Sequence, residues 1–343
     1  ERSEKRLLLA RSDKYWRSPA RLKRLVLKTV DDANTRRLRL GAGDSDATML
    51  ERQFLPQVEG MPGVTVDDEL PLLEVSNAFI FNHKISTAGN PDIGSGKLDG
   101  DGVPPDFFSD SDTRRAFGHS FDYEGYIKAG FRGKARKALG AIPYGVPGYD
   151  ENAHVPAFNP ARATEQFQTA WGGQVWKKGF KLTISYQEGR ADRQLACHIL
   201  KRNVETLNPK FRLDCRPVLY STWLSQLVAG KYPLVVGRWA LDYPHAHSGV
   251  YPFMHSQGYY AKATGYSNPR ADRLIHDAAR ELDPDRRNAL YRELMALGAI
   301  DLPTFYTVDT YATRIYRSNV KNWWHNPILN YGYFYPVYKE EPR

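Results

Sequence analysis

The sequence predicts an α/β fold, and three observations lead there. Strand-like and helix-like stretches alternate from residue 180 to residue 239: FKLTISY, RADRQLACHILKRNVETL, FRLDCRPVL, TWLSQLVAG and PLVVGRW. Alternation of this kind packs helices against a sheet with parallel strands. Several helices carry boundary signals, with Asn or Asp before Pro at the start and Gly pairs beyond the end. The bulk composition is that of a folded chain, 41% apolar and 25% charged over 343 residues. That length supports a large core and more than one domain. It contains no run of ~18 apolar residues of the kind that spans a bilayer as a helix.

The elements follow in order. Residues 24–30, RLVLKTV, alternate apolar and polar like a strand. Asp31 or Asp32 then caps a short helix, ANTRRLRLGAG, ended by Gly41 and Gly43. Residues 77–82, NAFIFN, read as a strand. Residues 86–112 are rich in Gly, Pro and Asp and read as a loop and a domain boundary. The DGDG inside it fails as an EF-hand loop. With Asp99 and Asp101 at positions 1 and 3, position 5 is Val103. Residues 113–121 set Ala116, Phe117 and Phe121 on one helical face. Asn159 and Pro160 open a helix striped by Ala163, Phe167 and Ala170. Leu195, Ile199 and Leu200 share a face of the next. Ser221 is the expected cap of TWLSQLVAG. Two late helices begin within NPRADRLIHDAAREL and at Asp283–Pro284.

The net charge of +9 permits nucleic-acid binding, but the basic residues are scattered and no recognition motif accompanies them. The expectation is no nucleic-acid partner. Aromatic residues reach 13%, with 21 Tyr and 7 Trp, an excess that suits clefts for amphipathic ligands as well as ordinary packing. The two cysteines, Cys197 and Cys215, exclude a CxxC pair. They fall on neighbouring elements, so a disulfide and two buried thiols both remain open.

The stretch GRWALDYPHAH, Gly237 to His247, follows the apolar run PLVV. Asp242 thus lies just past the carboxyl end of a buried strand, where open α/β sheets bind ligands. Four readings of it are open: metal ligand with His245 and His247, catalytic acid, ligand anchor, or turn residue. His255 follows the His pair, but HxH alone is a weak zinc signal, and no HExxH is present. There is no GxSxG elbow, P-loop or GxGxxG after a strand. A lone carboxylate in an aromatic setting suits a cationic group such as a peptide amino terminus.

Several stretches together resemble one family. They are DKYWRSPARLKRLVLKTVDDANTRRLRLGAGDSD, NAFIFNH, SDSDTRRAFGHSFDYEGYI, NPARATEQF, WALDYP and GYSNPRADRLI. Their order and spacing resemble the peptide-binding (oligopeptide, dipeptide and nickel) family of extracellular solute-binding proteins of ABC transporters.

The resemblance implies a bilobal, periplasmic-binding-protein-like (Venus flytrap) α/β fold. One large lobe would be complete and part of the other present. Residues 1–83 would be the later portion of lobe I, 84–304 the second lobe and 305–343 a return to lobe I. The chain would be the C-terminal part of a longer protein whose missing N-terminal part is a partner. The implied place is periplasmic or extracellular, with a lipid anchor carried by that part. The implied activity is binding, not catalysis, with no cofactor. Short peptides would be held between the lobes and delivered to ABC transporter permease subunits. A related solute, such as an oligosaccharide or a metal chelate, is the alternative, and a secreted hydrolase a more distant one. By resemblance, Asp242 pairs with the peptide α-amino group. Arg238, Trp239 and Ala240 meet the ligand main chain. Tyr243 belongs to the same motif, Trp223 is a cleft tryptophan, and Tyr306 falls near the crossover, toward the cleft. His245–Ala246 departs from the Asp-Pro or Glu-Pro that many members carry there.

Overall fold

The computed structural model describes residues 2–3, 5–329 and 332–340. The chain divides into two compact units, residues 1–72 with 311–343, and residues 73–310.

The smaller unit begins with β1 (Arg2–Ser3), β2 (Arg6–Ala10) and β3 (Arg24–Lys28), which form an antiparallel sheet. Helix α1 (Ala33–Ala42) follows, its N-terminus held by Asp32, whose carboxylate accepts the Thr35 N–H at 2.7 Å. Strands β4 (Ala47–Thr48) and β5 (Val64–Leu70) flank a strand from the far end of the chain. The core here is small: Leu40, Leu50, Leu55, Val58 and Ile315.

The larger unit opens with β6 (Glu74–Phe81), buried along all eight residues. Helices α2 (Ser111–Ser120) and α3 (Tyr123–Phe131) are capped by Asp110 and Asp122. After β7 (Ala135–Lys137) come α4 (Pro160–Thr169), capped by Asn159, and α5 (Gln174–Lys178). The alternating region is β8 (Phe180–Gln187), α6 (Ala191–Leu207), β9 (Phe211–Val218), α7 (Tyr220–Val228) and β10 (Leu234–Ala240). Four helices follow: α8 (Ala246–Met254), α9 (Tyr259–Thr264), α10 (Pro269–Arg280) and α11 (Pro284–Asp301). Strands β11 (Thr304–Phe305) and β12 (Val308–Thr310) return to the sheet. The chain then ends in the smaller unit with β13 (Ala312–Arg317), β14 (Val320–Lys321) and β15 (Tyr338–Lys339).

One seven-stranded mixed sheet organises the larger unit, in the order β7-β12-β6-β10-β8-β9 with β11 also on β6. Strands β8, β9 and β10 are parallel, and β6 runs antiparallel to β10. From β8 the chain steps outward to β9, then crosses back to β10 on the other side of β8. The strand order therefore reverses between β8 and β10, and the crevice at such a switch point is where α/β sheets bind ligands. Right-handed crossovers in opposite directions place α6 and α7 on opposite faces. Helix α6 packs with α2, α3 and α4, and α7 with α9. The core beneath α2, α4 and α6 is a pile of rings, among them Phe79, Phe81, Phe108, Phe117, Phe180 and Phe305.

Three expectations change. The loop at 86–112 is not a boundary: Ile93, Val103, Phe107 and Phe108 are buried in the main core, and the loop lies inside the larger unit. A Gly94–Gly102 bridge closes it, and a Cβ on Gly102 would meet the Ile93 carbonyl at 2.4 Å. The compact unit begins at Leu73, not after His83, because the strand predicted at 77–82 lies at the sheet centre between β10 and β12. Helix α7 starts at Tyr220 behind Leu219, without a side-chain cap, so Ser221 lies within its first turn.

Cys197 of α6 and Cys215 of β9 form a disulfide that closes a loop of 18 residues. A cross-link of that span restricts the unfolded chain by about 3 kcal/mol. The Cys197→Ala/Cys215→Ala variant is expected to lose about that much stability, measured by denaturant unfolding against the oxidised protein.

Candidate ligand-binding site

Strand β10 outruns its parallel neighbour. It pairs with β8 from Leu234 to Val236, then continues along β6 with Trp239 opposite Val75 and Ala240 opposite Glu74. The register shifts between Gly237 and Trp239. A Cβ on Gly237 would meet Ile80 Cδ1 at 2.8 Å and the Tyr260 hydroxyl at 3.0 Å, so the backbone passes where a side chain would not fit. The bulge and extension carry residues 238–242 beyond the end of β8.

Arg238 pairs with Glu74 at 2.7 Å, and Glu74 also accepts from the Ser76 hydroxyl at 2.9 Å. The Arg238 carbonyl accepts from Tyr260 Oη at 2.7 Å. Trp239 is half-buried against Tyr259 and Tyr260, with ring centres 5.8 and 6.1 Å away. Trp223 is buried and stacks on the exposed Tyr220. Helices α7 and α9, which carry Trp223 with Tyr220 and Tyr259 with Tyr260, pack together.

Asp242 is exposed, and its backbone N–H donates to Ser248 Oγ at 2.9 Å. Among the described residues its carboxylate makes no hydrogen bond or ion pair. A turn aspartate normally spends its oxygens on nearby N–H groups. Here the cap of α8 falls to His245 instead, and the Asp242 oxygens stay available. Tyr243 is exposed and bonds His247 Nδ1 through its hydroxyl at 2.7 Å.

The structure thus gathers Arg238, Trp239, Ala240, Asp242 and Tyr243 at one end of β10. Trp223 stands behind Tyr220 on α7. Tyr306 sits elsewhere, in the wall of a buried apolar cavity with Met254, Met295 and Gly298, its ring edge-on to Phe253. Burial pushes its hydroxyl well above the usual tyrosine range. Among the described residues no three His, Cys, Asp or Glu side chains are grouped to hold a metal ion.

A polar network that no short motif announces lies beside this end. Asn77 Nδ2 donates to Tyr126 Oη at 3.0 Å and to Asp192 Oδ2 at 2.9 Å. Arg193, 2% exposed, donates to Asn77 Oδ1 and Gln187 Oε1, and Arg190 pairs with Asp192 at 3.1 Å. Burial pushes the Asp192 carboxyl upward, but Arg190, Arg193 and the Asn77 hydrogen bond outweigh it and hold it below its usual value. Asn77 lies on β6 within the register shift opposite Gly237 and Trp239, which places the network beside the end of β10. Its trace in the sequence is EVSN, four residues of which three are polar, opening a strand that is otherwise apolar.

A mixed α/β sheet with a prepared edge at its switch point defines a ligand-binding class of domain. The family described as bacterial extracellular solute-binding proteins, family 5 Middle, matches residues 1–261. The chain belongs to family 5 of the bacterial extracellular solute-binding proteins. It is 22% identical over 326 residues to the probable D,D-dipeptide-binding periplasmic protein DdpA of Escherichia coli, covering 94% of this chain and 58% of that protein. It is 21% identical over 315 residues to the oligopeptide-binding protein OppA of Bacillus subtilis, covering 89% and 54%. The chain therefore spans little more than half the length of these relatives. The structure of DppA from Helicobacter pylori, in complex with the peptide STSA, superposes with a TM-score of 0.85 at 20% identity, over 99% of this chain and 62% of that one. NikA from Staphylococcus aureus, in complex with Ni(L-His)2, gives 0.81 at 17% identity, over 99% and 67%. These likenesses establish a shared fold. No helix of the described residues is long and apolar enough to cross a membrane.

Asp192→Ala would take the ion-pair partner from Arg190 and an acceptor from Asn77, and leave the buried Arg193 charge without a compensating carboxylate nearby. A loss of about 3–5 kcal/mol is expected in a denaturant melt at neutral pH. The wild-type contribution is present above the ordinary carboxylate pKa and disappears as pH falls through the lowered folded value, so the two proteins should converge in acid.

Proposed function

We propose that this protein is the solute-binding receptor of an ABC importer and captures short peptides outside the cytoplasmic membrane for delivery to permease subunits. The observation that carries the reading is the Asp242 carboxylate. It stands exposed at the switch-point end of β10, next to Tyr243 and three residues past Trp239, with no partner among the described residues. A peptide ammonium supplies the charge and three N–H donors that such a carboxylate lacks. The aromatic groups behind it offer apolar contact without fixed hydrogen-bond demands, which suits ligands of varied side chain.

The relatives support this class. Their names describe binding proteins, and those for DdpA, OppA and DppA name peptides. Another structure of this fold, from a Pseudoalteromonas species, holds Met-Leu, with a TM-score of 0.82 at 17% identity. Delivery works when ligand binding shifts the receptor to a form that the transporter recognises.

Two measurements test the proposal. Small molecules released from the purified full-length protein by denaturation are expected to be short peptides by mass spectrometry; a sugar or a chelated metal would overturn the peptide assignment. Asp242→Asn is expected to weaken peptide binding by about 2–5 kcal/mol, because it strips one side of a charge pair buried under ligand. N-acetylation of the peptide should cost a similar amount in calorimetry, and equal binding of acetylated and free peptide would remove Asp242 from the anchor role.

A further inference from the structure

The loop that carries Asp242 is closed by a histidine. His245 is the N-cap of α8, and its Nδ1 accepts the His247 backbone N–H at 3.2 Å. N-caps are ordinarily Ser, Thr, Asp or Asn, whose acceptor oxygens hold no proton to lose or gain near neutral pH. An imidazole fills the position only while Nδ1 carries no proton.

The cap and the anchor share one closed set of hydrogen bonds. The His245 N–H donates to the Tyr243 carbonyl at 2.8 Å, and the Ser248 N–H donates to the His245 carbonyl at 3.0 Å. Ser248 Oγ in turn accepts the Asp242 N–H at 2.9 Å. So His245 secures the first turn of α8, that turn presents Ser248, and Ser248 holds the backbone from which the carboxylate projects. The Tyr243–His247 bond is a second strut across the same loop.

The groups facing His245 are few. From α11 come Arg287 and the Tyr291 ring, edge-on at 5.6 Å. From its own segment come the Tyr243 ring at 6.4 Å and His247. Among the described residues no carboxylate is set against the ring, and burial together with Arg287 disfavours a protonated imidazole.

We propose that His245 is a positioning residue for Asp242: its neutral imidazole closes α8 and orients the carboxylate toward a ligand ammonium, and its protonation releases both. This rests on the reading of Asp242 as the amine anchor. Burial first, and then Arg287, hold His245 below its ordinary value of 6.5. The capping contribution is therefore complete above pH 6.5 and is lost as pH falls through the lower folded value. The peptide amine stays charged throughout that window, and the His245→Asn variant isolates the contribution of the histidine.

Hydrogen exchange of the full-length protein tests the cap without any ligand. Between pH 8 and pH 4.5, after correction for intrinsic rates, protection of residues 241–249 should fall about fivefold relative to α11, the effect of losing one N-cap. His245→Asn supplies a cap that does not titrate, and its protection should stay level. His245→Ala should show the lowered protection at every pH. A level wild-type profile, or an equal drop in His245→Asn, overturns the proposal.

Calorimetry with tri-alanine over the same range tests the link to binding. Wild-type affinity should weaken below pH 6.5, while that of His245→Asn should not. Tri-alanine binding that is level with pH in the wild type overturns the role of His245 and leaves the anchor reading standing. No binding at pH 8 overturns the anchor reading, and the positioning role with it.

Discussion

The larger unit depends on the burial of β6 along its whole length. A strand covered on both faces must satisfy every backbone group through its neighbours. Strand β6 does so by pairing with β10 on one edge and with β11 and β12 on the other. Its apolar half, Ala78 to Phe81, enters the ring-packed core. Its polar half cannot, and Glu74, Ser76 and Asn77 need partners at the same depth. Those partners are Arg238, Tyr126, Asp192 and Arg193, drawn from β10, α3 and α6.

That division along one strand explains where the candidate site lies. The polar half of β6 faces the part of β10 that outruns β8. An ion pair, a bulge and a hydroxyl bond to the Arg238 carbonyl then hold the end of β10 in place. Buried, hydrogen-bonded charge is costly to assemble and rigid once made. A carboxylate mounted just beyond such a base needs no bonds of its own for support. Asp242 can therefore keep its oxygens open, while its backbone is tied to Ser248.

Local chemistry made most of the fold legible. Asp32, Asn159 and Asp283 cap the helices that follow them, because an N-cap acts across three residues and needs nothing distant. The alternation from 180 to 239 produced three parallel strands and two helices. Ser221 misled because α7 begins two residues earlier, at Tyr220, in a turn closed by the Trp223 N–H donating to the Leu219 carbonyl. The loop at 86–112 misled because Gly, Pro and Asp describe the backbone and not the neighbours. Its four buried apolar residues reach a core built by segments more than sixty residues away in some cases, such as Phe180.

The sequence by itself determined the α/β class, the alternation of elements from residue 180 to residue 239, and Asp242 as the residue to examine after β10. These rest on periodicity, capping and short motifs, whose energies are local. Only the tertiary structure decided that Asp242 is unpaired while His245 takes the cap, that Tyr306 lines an apolar cavity, and that Cys197 meets Cys215. It also brought Asn77 to Asp192 and Arg193 across 115 and 116 residues. Contacts of that range depend on strand order and register, which many competing pairings share at the level of pattern, and which are selected by how the whole core packs.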